Sequence, residues 1–88
     1  MSFSTGEIEL LYRTIEKGLG LQQVEVRVYN APPKTIKITQ KCTHNFFIIQ
    51  NMGKYIMLVK PEHTNLVYTV QTYDEVLARL VQWQIDLM

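Results

Sequence analysis

A single cysteine, Cys42, leaves the chain unable to build an internal disulfide framework, so packing alone must hold it together. Glycine is sparse as well. Gly6, Gly18, Gly20 and Gly53 are scattered rather than clustered between a strand and a helix, which excludes a phosphate-cradling loop and the nucleotide cofactors such loops hold. Charge of either sign is nearly balanced. A formal net charge of +1 lacks the basic excess that marks a strong binder of nucleic acid or anionic membrane. Long apolar runs are missing too: the longest, Tyr55 to Val59, falls far short of the roughly 18 residues a membrane-spanning helix needs. The opening Met1-Ser2-Phe3-Ser4-Thr5-Gly6-Glu7 has neither the basic nor the apolar block of a secretion signal, so a cytoplasmic location is expected.

What is present is a globular composition, 47% apolar and 19% charged, without internal repeats or low-complexity tracts. Its 88 residues suit one domain, 1–88. A domain of this size buries only roughly 60 to 65% of the surface of its unfolded chain, which leaves a slender stability margin.

Periodicity divides the chain into a helix, a run of strands and a second helix. Ser4 and Glu7 form a capping-box pair, Phe3 is placed to staple against Ile8, and Ile8, Leu11, Tyr12, Ile15 and Leu19 recur at helical spacing. A surface helix starting near Thr5 and ending at Gly18 to Gly20 is predicted, with Lys17 placed favourably at its negative end. From Gln22 to Asn30 the period becomes two, Val24, Val26 and Val28 pointing one way and Glu25, Arg27 and Tyr29 the other. Pro32 and Pro33 break that strand, and Ile36 and Ile38 alternate with Lys37 and Thr39 in the next, so a hairpin is expected. The stretch from Gln40 to Asn45 reads as a loop. Phe46-Phe47-Ile48-Ile49 and Tyr55-Ile56-Met57-Leu58-Val59 follow, joined by a turn at Gly53; Leu66, Tyr68 and Val70 suggest a fifth strand after a break at Pro61 to Asn65. Thr72 and Glu75 form a second capping pair, after which Val76, Leu80, Trp83 and Leu87 share one stripe. The expected fold is α+β: an N-terminal helix, an antiparallel meander of four to five strands, and a C-terminal helix, with the helices packed on the sheet. The wet side of the first hairpin favours both helices on one face.

Catalytic and metal chemistry find little footing. Cys42, His44 and His63 are transition-metal ligand types, with Glu62 as a fourth, but they lack the paired spacing of a zinc site, and no metal or other cofactor is expected. Cys42 and His44 fall on one side of an extended segment, yet a nucleophile also needs a cleft and an oxyanion hole. Glu7, Glu9 and Glu16 sit on a helix face, Asp74 and Glu75 in a cap and Asp86 in a last turn, all structural placements. The chain is therefore expected not to be an enzyme.

Two binding chemistries remain. Arg27, Tyr29 and Lys37, with Lys41 if it continues the second strand, fall on one side of the first hairpin, pairing phosphate-attracting cations with a ring that can stack on a base, as single-strand-binding sheets do; nucleic acid is the alternative partner. Against it stand Glu25 on the same side and the role of lysines in guarding exposed strands. The stronger signal is apolar. Both central strands are apolar at odd and even positions, so both of their faces need cover, and the last helix is greasier than one contact requires. A module that binds another protein, or itself as a homodimer, is expected, with Phe47, Ile49, Met57, Trp83 and Leu87 as contact residues. Parity alone does not decide whether Phe46 and Ile48 or Phe47 and Ile49 face outward.

Overall fold

Two capped helices and five strands, each bounded where the local chemistry places a stop, make up the computed structural model, which describes residues 3–60 and 66–88. Helix α1 spans Thr5–Lys17. Its N-cap is Ser4, whose hydroxyl accepts from the Glu7 N–H at 3.1 Å while Glu7 Oε1 accepts from the Ser4 N–H at 2.9 Å, so two otherwise orphaned donors are satisfied reciprocally. It ends at Gly18, where the N–H of Gly18 and that of Gly20 both return to the Ile15 carbonyl. A single 3₁₀ turn, Leu21–Gln23, leads into the sheet.

The strands are β1 (Val24–Tyr29), β2 (Lys34–Gln40), β3 (Phe46–Asn51), β4 (Ile56–Lys60) and β5 (Leu66–Val70). They form one antiparallel sheet in the order β1-β2-β3-β4-β5, each strand pairing with its neighbour in sequence. The β2 strand runs on to Gln40, so the loop expected from Gln40 begins one residue later. Gln40 is buried, its backbone bonds with Asn45 and His44, and its amide oxygen accepts from Thr43, which pins the turn. At the Gly53 turn the chain takes a φ of 93°, open to glycine at no steric cost. The expected break at Pro61 to Asn65 lies outside the described residues.

Helix α2, Tyr73–Leu87, follows the N-cap Thr72, whose hydroxyl accepts from the Glu75 N–H at 3.3 Å. Both helices lie on the same face of the sheet. Their buried side chains Leu11, Ile15, Val76, Leu80 and Trp83 form one core with Val24, Ile36, Ile38, Phe47, Ile49, Leu58 and Val70. Every sheet residue in that core belongs to one side of the pleat, for Ile38 pairs with Phe47, and Ile36 with Ile49, which in turn pairs with Leu58. Phe47 and Trp83 meet with ring centroids 5.6 Å apart at 46°, a tilted aromatic contact at the centre of the core.

The greasiness of α2 is accounted for in part by α1, which packs beside it. At one end of this helix pair the Tyr73 phenol donates to the Glu7 carbonyl at 2.6 Å, and burial raises the Tyr73 pKa well above its usual value. At the other end Gln84, only 1% exposed, accepts from the Leu19 N–H at 2.9 Å and donates to the Thr14 carbonyl at 3.4 Å. A Cβ on Gly18 would stand 2.2 Å from Gln84 Oε1, so a larger residue there must push the Gln84 amide out of its place.

Candidate functional site

Two helices on one face leave the other face of the sheet with no helix among the described residues. Its side chains are set by register. One row runs Arg27, Lys37, Ile48, Val59, Val67 across all five strands; the next runs Tyr29, Thr35, Gln50, Met57, Thr69; a third joins Glu25, Thr39 and Phe46. Two chemistries therefore divide this face. Toward β1 and β2 it is charged and polar, whereas Phe46, Ile48, Met57, Val59 and Val67 make it apolar toward β3, β4 and β5. Phe46, Ile48, Met57 and Val59 are half-buried, and Val67 is 51% exposed.

The border between the halves is marked by Lys37, whose ammonium stands 4.7 Å from the centroid of the Phe46 ring. That separation is within cation–π range, so Lys37, itself half-buried, leans over the apolar surface with its ammonium against the ring. Arg27 donates to the carboxylate of Glu25, two residues away on the same strand. This hydrogen bond and the guanidinium charge, followed by the charges of Lys41 and Lys37, hold the Glu25 carboxyl below its ordinary pKa. The same contact, with Tyr29 beside it, raises that of Arg27. The structure thus gathers Arg27, Lys37 and Lys41 around Glu25, with Tyr29 beside Arg27, although Lys41 belongs to the turn after β2 rather than to the strand.

The apolar residues singled out from sequence separate. Phe47, Ile49 and Trp83 are 0% exposed, enclosed by the chain's own helices and sheet, and so cannot line a surface. Leu87 is partly buried and packs against the same core, while Met57 alone of the five lies on the open face. The outward parity is that of Phe46 and Ile48. Periodicity could not choose it because both parities are equally apolar; the deciding signal was the pairing of β2, whose Ile36 and Ile38 already marked the inner side.

Other concavities are tied to the framework. A cleft of about 150 Å³ lies among Glu7, Asn51, Lys54, Tyr55 and Tyr73, where Asn51 accepts from the Gly53 N–H and Tyr73 is committed to Glu7. A furrow of about 320 Å³ runs between the helices, lined by Thr14, Lys17, Val81, Gln84, Ile85 and Met88. Cys42 and His44 are exposed in the β2–β3 turn, with His44 at a φ of 62°, while Glu62 and His63 lie outside the described residues. Among the described residues no three of His, Cys, Asp and Glu group as metal ligands would, and no helix is long and apolar enough to cross a membrane. No protein-family model, curated protein or solved structure matches the chain.

Proposed function

We propose that the protein is a non-enzymatic protein-binding module whose contact surface is the helix-free face of its sheet. The observation that carries this reading is the apolar block of Phe46, Ile48, Met57, Val59 and Val67, contiguous across three strands and bordered by charge on its β2 side. Contiguous apolar surface of this kind on a small domain is stabilised by association, and an apolar centre with a polar rim is how such contacts are built. The occupant of that face is another protein or a second copy of the chain. Sedimentation over a range of concentrations, together with binding of an environment-sensitive apolar dye, tests the exposed face: the dye should bind, and Ile48→Lys should abolish dye binding and any self-association. A wild-type chain that neither associates nor binds the dye would remove the reading.

A second reading has its own observation. Arg27 pairs directly with Lys37 across β1 and β2, and Tyr29, 46% exposed, stands next along the strand. Cations flanking an exposed ring suit a single-stranded nucleic acid. Electrophoretic binding to random single-stranded DNA and RNA at two salt concentrations measures this, because phosphate contacts weaken as salt rises. Loss of that binding in a Lys37→Glu, Lys41→Glu variant would support it, and unchanged binding would dispose of it.

A further inference from the structure

The charges on the open face bear on which protein covers it. Among the described residues of that face the one acid is Glu25, and Arg27 already holds it. Lys37 and Lys41 have no ion-pair partner among the described residues. Lys37 also sits at the edge of the apolar block, 4.7 Å from the Phe46 ring, where a carboxylate beside an apolar anchor would meet it.

A second copy is a poor occupant on geometric grounds. Two identical sheets packed face to face are related by a two-fold axis lying between them. If that axis runs along the strands, β1 and β2 of each copy cover β4 and β5 of the other, which desolvates Arg27 and Lys37 against Met57, Val59 and Val67. If it runs across the strands, the basic half of one copy faces the basic half of the other. Neither arrangement supplies the missing negative charge. A helix lying along the strands does, as a single apolar stripe can cover β3 to β5 while one flank faces β1 and β2. Helices are also what this sheet already accepts on its opposite side.

We infer that the open face takes an acidic amphipathic helix of another protein, its apolar stripe on Phe46, Ile48, Met57, Val59 and Val67 and its carboxylates toward Lys37 and Lys41. This rests on the protein-binding reading and narrows it to a partner chemistry. Random helix-length peptides displayed on phage and selected against the immobilised full chain test it. The enriched pool should carry Leu, Ile or Phe at helical spacing with Asp or Glu along one flank. A Lys37→Glu, Lys41→Glu variant should bind those peptides about tenfold or more weakly, since two attractions become repulsions, and should itself select basic peptides. A neutral consensus that Ile48→Lys still disrupts overturns the acidic partner yet leaves the face a protein-binding surface. A dimer that Ile48→Lys dissociates overturns it in favour of a second copy, and selective capture of single-stranded nucleic acid overturns it in favour of phosphate. Absence of any enrichment, together with absence of association and dye binding, brings down both the inference and the reading beneath it.

Discussion

Phe46 and Phe47 are neighbours on one strand, identical in chemistry and opposite in fate. Phe47 is wholly enclosed and meets the Trp83 ring at 5.6 Å, whereas Phe46 is half-buried, with Lys37 leaning over it. The pleat sends one to each face, and the two faces solve the same problem differently. On the helix side, shape complementarity among Leu11, Ile15, Phe47, Leu80 and Trp83 removes apolar surface from water completely. On the open side, flat cross-strand contact and one lysine stem remove only part of it. Stability is thus concentrated on one side of the sheet, and the other is free to change its chemistry at little cost to folding.

Substitution at this adjacent pair gives the widest contrast. Phe47→Ala should cost about 3 to 5 kcal/mol in urea unfolding, approaching the whole stability of a domain this small, because it empties the centre of the core. Phe46→Ala should cost less than about 1 kcal/mol, and equal losses at the two positions would break the comparison. The next largest effect belongs to the polar clasp between the helices. Gln84→Ala leaves the Leu19 N–H and the Thr14 carbonyl without their partner, for an expected loss of about 1 to 3 kcal/mol. Gly18→Ala drives a methyl toward Gln84 Oε1, and the double variant should cost less than the two losses added, since shortening Gln84 also removes the collision.

Tyr73→Phe removes a hydrogen bond to the Glu7 carbonyl and should cost about 1 kcal/mol near neutral pH. Its pH dependence has a definite sign. Burial raises the folded-state pKa, so the phenol's contribution is fully present below its ordinary value of 10.0 and is lost as pH rises above it. Urea midpoints followed into the alkaline range should therefore fall more steeply for wild type than for Tyr73→Phe. The smallest effect on folding is expected at Ile48→Lys, within about 1 kcal/mol, since the new ammonium points to water. A large loss there would mean that the open face is part of the folding core.

Most of the architecture was legible in the chain. Ser4 with Glu7, and Thr72 before Glu75, announced the helix starts, because short polar side chains next to helical apolar periodicity have little else to do. Val24, Val26 and Val28 against Glu25, Arg27 and Tyr29 gave away the half-covered first hairpin. The central strands withheld their orientation, since Phe46 with Ile48 and Phe47 with Ile49 are interchangeable to any hydropathy argument. Only the ladder to β2 separates them, and that register depends on a turn in which His44 adopts a left-handed conformation and Gln40 turns inward. Gln84 escaped notice for a different reason. It lies four residues after Leu80 on the buried stripe, where an amide is worth suspecting of a specific partner, but that partner is a backbone at the far end of the chain.

That distance shapes how the domain comes together. Each strand can zip onto the one before it, yet α1 is latched by α2 at both ends, by Tyr73 near its first turn and by Gln84 just past its last, across 66 and 65 positions of sequence. The helix synthesised earlier thus waits for the later one before it is secured. Amide exchange should find the two opening as a unit while β2 and β3 stay protected, and an α1 that frays independently of α2 would contradict it.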